Sequence, residues 1–416
     1  MSYKGELTRM VKKIGVIGGG PAGIIAAGFA GSKGGDVTLI EKNNQLGKKL
    51  FITGKGRCNI TNASSIESFF ENIITNNTFL YSSFYSFTNE DIINLLESCG
   101  LKIKIERGNR VFPTSDKSSD VLKALEKFLA SNNVKILLNK RVTDLEYEDN
   151  KFIVKFYNND SMIFDNLIIA TGGKSYPLTG STGDGYTFAK KFGHRIEPLK
   201  PSLVPIEIEK GWIKEVQGLS LKNVKLTACI DNKKVHEEFG EMLFTHYGIS
   251  GPIVLSMSNY INKYKNKNIQ LCIDLKPALS KEKLDKRILR DFDTYKNKQI
   301  KNGLDKLLPQ RLIPIIIQES SIDEGKPINQ ITKLERNKMV DTIKNLSLTF
   351  KGFRPIEEAI VTSGGVSTVE IDPSTMESKL IPGLFFAGEI IDVDGLTGGY
   401  NLQIAYSTGY LAGINV

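Results

Sequence analysis

The stretch that decides the fold runs Lys13-Ile14-Gly15-Val16-Ile17-Gly18-Gly19-Gly20-Pro21-Ala22-Gly23, and it is followed a little later by Val37-Thr38-Leu39-Ile40-Glu41. Residues 14–17 read as a short buried strand, 21–31 as a small-residue helix and 37–40 as a second buried strand, together a βαβ unit. The turn between strand and helix matches G-x-G-x-x-G. Gly18 makes the tight turn, Gly20 lets the backbone approach a pyrophosphate, and Gly23 permits close helix–strand packing, while Pro21 and Ala22 open a helix whose N-terminus faces the anion. Glu41 closes the second strand at the distance expected of an acceptor for ribose hydroxyls. The bare motif is weak, but with strand, helix and acid all in place it specifies a dinucleotide-binding domain.

Working outward, 416 residues suffice for two or three domains and a sizeable core. The longest apolar runs, such as 312–317, fall far short of the ~20 residues of a membrane span. Lys12 and Lys13 lead straight into the first strand with no apolar signal core, so a cytoplasmic protein without a membrane role is expected. The four cysteines (Cys58, Cys99, Cys229, Cys272) and three histidines (His194, His236, His246) are scattered. Their spacing argues against a disulfide scaffold, a metal site and a dithiol redox centre. Chemistry is therefore expected from an organic cofactor.

Further along, 80–100 suggests one amphipathic helix with a capping box at Thr88 and Asp91 and a stop at Gly100. Residues 118–130 read as a helix, and 134–138, 152–156 and 162–169 as strands. The last of these ends in Ala170-Thr171-Gly172-Gly173, a turn where backbone can again meet a nucleotide. A glycine-rich loop, 180–185, then leads to a helix at 186–192. From about 196 the character changes: short β-like runs at 203–208, 224–230 and 269–275 point to a small barrel or sandwich, and 281–346 to three or four helices. Nucleotide-type patterning returns with a buried strand closing on Gly388-Glu389 and with Gly398-Gly399-Tyr400-Asn401-Leu402-Gln403 opening a final helix. The expected division is thus 1–195 for the first part of the nucleotide domain, 196–280 for a barrel, 281–346 for a helical subdomain, and 347–416 for the return to the barrel edge and the second part of the nucleotide domain.

These motifs together resemble the BaiN-like/YhiN-like FAD-dependent oxidoreductases, the BaiN/RdsA family. The resemblance is carried by Gly18–Gly23, Glu41-Lys42, and Leu46-Gly47-Lys48-Lys49 through Thr53-Gly54-Lys55-Gly56-Arg57-Cys58-Asn59-Ile60-Thr61-Asn62. It continues with Arg110-Val111-Phe112-Pro113, Ala170 to Gly173, the loop at 181–186, and Phe244-Thr245-His246-Tyr247-Gly248. Val361-Thr362-Ser363-Gly364-Gly365-Val366 and the two C-terminal motifs complete it. Lys55 departs from the pattern, where a smaller or amide residue is expected. The resemblance implies an α/β fold: an FAD/NAD(P)-binding Rossmann-like domain with an inserted β-barrel and a nested small helical subdomain. It also implies FAD in the first fingerprint, with Lys42, Lys49, Gly185, Gly388 and Glu389 lining the cofactor and Val142 meeting adenine.

Bare N–H groups at Gly399 and Tyr400, aimed at the flavin N1/O2 edge, would stabilise the anionic reduced flavin. Arg57 and Cys58 lie in a loop that similar flavoproteins place beside the isoalloxazine. Arg57 would hold an anionic group or stabilise the flavin. Cys58 reads either as a general acid whose thiol pKa a nearby cation lowers, or as a small buried wall residue. His246 reads either as a group that orients substrate or donates a proton near neutral pH, or as a structural histidine. No second G-x-G-x-x-G follows a strand, so NADH or NADPH would visit the flavin transiently.

Segment 263–306 holds 13 Lys/Arg against 6 Asp/Glu in a chain of net charge +9. Such a surface steers polyanions or is simply a solvated lysine face, and no RNA-binding motif or aromatic interleaving is read there. The expected function is an NAD(P)H-dependent reductase passing hydride from flavin N5 to an activated C=C bond, in a conjugated enone or in the uracil 5,6 bond of ribosomal RNA. The alternatives are a flavin amine oxidase acting on an aminoacetone-type substrate, and a non-catalytic flavoprotein that binds RNA or a partner.

Overall fold

Strand Lys13–Ile17 sits at the middle of a five-stranded parallel sheet ordered Leu384–Phe386, Asn166–Ile169, Lys13–Ile17, Asp36–Ile40, Lys135–Leu137. Val16 pairs with Leu39 on one side and Ile168 on the other. In both Lys13–Ile17 and Asp36–Ile40 only the first residue is exposed, the continuous apolar pattern of strands covered on both faces. The chain leaves Lys13–Ile17 toward Asp36–Ile40 in one direction and returns beside it as Asn166–Ile169 in the other. Its carboxyl end is therefore a topological switch point, where open α/β sheets bind ligands.

The computed structural model describes residues 11–416. They divide into one unit running to Pro201 and resuming at Ile360–Val416, and a second, Ser202–Ala359. In the first unit, helix Pro21–Ser32 and the final helix Tyr400–Asn415 meet backbone to backbone. A Cβ at Gly409 would lie 2.4 Å from the Ala22 carbonyl oxygen, and one at Gly413 2.5 Å from that of Ala26. Since 409 and 413 advance with 22 and 26, the two helices run parallel. The rise per residue carries the start of the final helix about 13 Å beyond this contact.

The expected single helix at 80–100 is two, Tyr81–Ser86 and Asn89–Ser98. The Thr88–Asp91 capping box is fully formed, and it starts a new helix instead of continuing an old one. The expected strand at 162–169 is also two, Ser161–Phe164 in a three-stranded antiparallel sheet and Asn166–Ile169 in the parallel one. The helix expected at 186–192 starts earlier, as Asp184–Lys191, and so takes in Gly185.

The second unit is a closed barrel of Ile206–Ile208, Gly248–Ser250, Lys233–Phe244, Ser220–Ile230, Ile269–Asp274 and Leu346–Phe353. Leu226, Ala228, Ile230, Leu271 and Ile273 are buried on alternate positions of its strands. Leu284, Ile288 and Phe292 of helix Lys281–Thr294 join the same core, as do Met339, Val340 and Ile343 of helix Lys333–Lys344. The helices expected at 281–346 thus share the barrel's core.

Gly409→Val would force side-chain atoms into the Ala22 carbonyl. The expected loss is about 1–3 kcal/mol of stability, read as a lower denaturation midpoint, with an equal change at exposed Gly211, where an added Cβ meets nothing within 4 Å, as the control.

Candidate functional site

The cradle is built first from backbone. Helix Pro21–Ser32 is capped at Gly20 with no side-chain acceptor and no acid in its first turn. Its first i to i−4 bond runs from Ile24 N–H to Gly20 O at 2.9 Å. Pro21 has no N–H, so Ala22 and Gly23 carry the free donors. A Cβ at Gly20 would meet nothing within 4 Å, whereas one at Gly23 would lie 1.9 Å from the Gly18 oxygen. The first glycine faces open space and the second is locked against the strand turn.

Helix Tyr400–Asn415 repeats the pattern. Gly399, at φ +106°, caps it without a side-chain bond and no acid occupies the first turn. Gln403 N–H already bonds Gly399 O at 3.1 Å, leaving Tyr400, Asn401 and Leu402 as the donors. This corrects the expectation for Gln403. Its side chain is fully buried, bonded to Thr61 Oγ1 at 2.7 Å, Ser407 Oγ at 3.0 Å and Phe87 O at 3.1 Å, so both its backbone and side-chain donors are committed to the fold.

Glu41 is buried at the end of its strand, where one carboxylate oxygen accepts from Gly19 N–H and the other from Asn43 N–H, each at 2.7 Å. Lys42 pairs with Asp184 at 2.7 Å and also bonds Thr182 Oγ1. Burial opposes ionisation of Asp184, but Lys42 outweighs it and holds the carboxyl below its usual range. Beside them a cavity of about 300 Å³ is lined by Lys42, Asn43, Arg141, Pro177, Leu178, Gly180 and Thr182. Val142, next to Arg141, is buried.

On another side, Lys49 Nζ bonds Glu389 Oε2 and Ser175 Oγ, each at 2.7 Å. Glu389 Oε1 accepts from Thr362 N–H at 2.9 Å and Ser175 Oγ at 3.0 Å. Burial would raise this carboxyl's pKa, but the Lys49 ammonium and these hydrogen bonds prevail and lower it. Gly388 N–H bonds Thr408 Oγ1 of the final helix at 2.9 Å. Thr171, following Ala170 at the end of Asn166–Ile169, has a buried hydroxyl without a partner, as does Tyr406. Uncapped helix ends, open space at Gly20 and a stranded Thr171 hydroxyl at the switch point fit a dinucleotide cofactor.

Arg57 is engaged elsewhere, and of the two readings of Cys58 its surroundings match the small buried wall residue. Arg57 binds Glu106 at 2.9 Å and Asp116 at 3.2 Å, and its guanidinium lies 4.0 Å over the Phe112 ring. Lys104 closes the cluster, 2.7 Å from Asp116. The cation is thus spent on the hairpin of Ile103–Glu106 and Arg110–Pro113. Cys58, at φ +63°, is fully buried, and burial pushes its thiol up to about 12. The expected lowering by a neighbouring cation does not occur.

His246 is exposed in the second unit, on the turn between Lys233–Phe244 and Gly248–Ser250, its ring 4.8 Å from that of Tyr247. Arg354 stacks 4.5 Å over Tyr247 and bonds Glu207 at 2.8 Å and Glu358 at 3.0 Å, which fixes the turn. The basic segment does carry aromatic rings. Lys263 and Lys267 lie 5.2 and 5.8 Å from the Tyr264 centroid, and Lys298 and Lys306 lie 4.8 and 5.7 Å from that of Tyr295. No described helix is long and apolar enough to cross a membrane.

The HI0933-like protein Rossmann domain family matches residues 12–415. A 3-dehydro-bile acid delta(4,6)-reductase of Clostridium scindens is 33% identical over 407 residues, 97% of this chain and 98% of the relative. A ribosomal RNA dihydrouridine synthase of Haemophilus influenzae is 32% identical, covering 96% of this chain and 97% of the relative. Among solved structures, the Mycobacterium smegmatis Sdh1 complex in the apo form shares the fold at a TM-score of 0.51 and 17% identity, over 97% of this chain and 68% of that one. The chain belongs to the HI0933-like Rossmann family, within the BaiN-like/YhiN-like FAD-dependent oxidoreductases that its motifs resemble.

Proposed function

We propose that this protein is an NAD(P)H-dependent reductase that adds hydrogen across a C=C bond conjugated to a carbonyl. The observation that carries the reading is that two relatives, each matched over nearly the whole chain, bear names describing that one chemistry. One is a delta(4,6)-reductase and the other makes dihydrouridine. Bound FAD would supply hydride transfer, the protein supplying position and electrostatics. The Ala22 and Gly23 N–H groups would hold its pyrophosphate and Glu41 its ribose. The N–H groups of Tyr400, Asn401 and Leu402 would face developing negative charge, and Lys49, balanced by Glu389, adds a cation that cannot swing away.

Of the two electron-poor alkenes, the uracil 5,6 bond of ribosomal RNA is favoured over a conjugated enone. Tyrosines set among Lys263, Lys267, Lys298 and Lys306, none of which has an ion-pair partner among the described residues, suit bases and phosphates together. Mixed anaerobically with NADPH or NADH, the flavin absorbance is expected to bleach and to recover on adding unmodified ribosomal RNA, less so an enone. Bleaching by an amine alone, with fast reoxidation by oxygen, would replace this reading with the amine oxidase. No bleaching by any donor would leave a structural flavin that serves RNA or partner binding.

The proton that completes the reduction needs a donor that solvent can recharge. His246 is solvent-exposed, whereas Cys58 is walled in. His246→Gln is expected to lower turnover about 100-fold without changing flavin reduction by NAD(P)H. Cys58→Ala is expected to keep FAD and most turnover, and a collapse of turnover with FAD retained would return the acid role to Cys58.

The depressed Glu389 pKa contributes stability that is present at neutral pH and lost as pH falls through its folded-state value, below the ordinary carboxylate pKa of about 4.3. In Lys49→Met, burial acts without the cation, so Glu389 takes up its proton at higher pH. The variant is then expected to melt below the wild type at neutral pH and to close that gap as pH falls, because protonation relieves a buried carboxylate left without its cation, read as melting temperature against pH.

A further inference from the structure

Between Arg57 and Lys102 the chain has no lysine or arginine, although it holds 55 such residues in all; the interval carries five acids, Glu67, Glu71, Glu90, Asp91 and Glu97. Two short helices there, Ile66–Glu71 and Tyr81–Ser86, bring three rings into one slab. Phe70 stacks on Tyr81 at 4.4 Å and 22°, and on Tyr85 at 6.2 Å and 28°; Tyr81 and Tyr85 lie 6.2 Å apart at 20°. The spacing of 81 and 85 puts both tyrosines on one helix face, and they are 52% and 57% exposed. Behind the slab, Phe84 meets Phe70 at 5.5 Å edge-on and Phe69 at 5.7 Å, and both Phe69 and Phe84 are fully buried. The exposed rings are therefore mounted on the core.

Glu67 and Glu71 are exposed and four residues apart, on the face of Ile66–Glu71 that carries Phe70. Among the described residues no ion pair joins either to a basic group. Ring faces are electron-rich and hold guanidinium or ammonium groups, Arg above all. Two unneutralised carboxylates beside them strengthen that attraction and repel a polyanion. Ser82, Ser86 and Asn77 around the rings are uncharged, the mixture of rigid aromatic area and adaptable polar groups that suits protein recognition.

We propose that the Phe70–Tyr81–Tyr85 slab, with Glu67 and Glu71, docks an arginine- or lysine-bearing segment of a partner protein. RNA is excluded from this face by charge. None of these residues belongs to the cofactor cradle, so the proposal stands apart from the reductase reading.

The test uses the FAD-loaded full chain and a fluorescein-labelled arginine–glycine repeat peptide, read by anisotropy. Saturable binding is expected, weakened about tenfold in Glu67→Gln/Glu71→Gln and in Tyr81→Ala/Tyr85→Ala, and kept in Tyr81→Phe/Tyr85→Phe. Flavin content and melting temperature report folding, and the exposed glutamate pair keeps the test decisive where the alanine pair fails to fold. No saturable binding, or equal binding by wild type and the glutamine variant, would overturn the proposal. So would self-association in sedimentation velocity that the glutamine variant abolishes, which would give the face to a second copy through its basic 263–306 segment.

Discussion

Direct backbone contact between helix Pro21–Ser32 and helix Tyr400–Asn415 is the constraint on which the cradle depends. It exists because residues 409 and 413 have no side chain to hold the helices apart. Parallel neighbours align their dipoles unfavourably, and the final helix has no acid in its first turn to offset this. What holds the pair is burial: eleven of the sixteen residues of the final helix are inaccessible, so it cannot rotate or slide without exposing apolar surface. The result is two N-termini facing the same way with about 13 Å between their levels. An elongated anion with a second electron-accepting end matches that spacing of donors. Among the described residues several N–H groups at these helix ends have no acceptor, and a ligand that satisfies them stabilises the fold by mass action.

The carboxylates around the cradle are all committed. Glu41 is held by Gly19 and Asn43, Asp184 by Lys42, and Glu389 by Lys49, Ser175 and Thr362. The cations are committed in turn, and Arg57 is neutralised by Glu106 and Asp116. Positive potential in the cradle therefore comes chiefly from fixed backbone dipoles, which need no reorganisation when charge develops. Lys49 adds a side-chain cation whose rotamer is pinned by Glu389 and Ser175, so it too needs little reorganisation.

Much of this was legible in sequence because it is local. The Gly18–Gly23 turn between strand and helix, the uncapped Gly399 start and the Thr88–Asp91 box each depend on a few adjacent residues, and each takes its local form as read. What was not legible depends on distant partners. Arg57 meets Glu106 and Asp116 across 49 and 59 residues, and Gln403 meets Thr61 across 342. No local pattern reports these. Lys233–Phe244 escaped for another reason: its first half is solvated on both faces, so it lacks the alternation that marks a strand. Residues 80–100 misled because the helical period continues through Phe87, and only the cap chemistry at Thr88 marks a restart.

Two groups of accessible aromatic residues lie in opposite charge surroundings. Tyr264 and Tyr295 lie among lysines, whereas Phe70, Tyr81 and Tyr85 lie beside glutamates. A ring offers similar dispersion and stacking in either setting, so the neighbouring charge decides what approaches it. Lysines around a tyrosine draw phosphates to a surface where a base can stack, while glutamates reject phosphate and leave the ring face to a guanidinium. Added salt weakens both attractions alike and cannot tell them apart. A polyanion competitor would, because lysine-flanked rings attract it and glutamate-flanked rings repel it. Charge context thus gives one residue type two opposite surroundings on one chain.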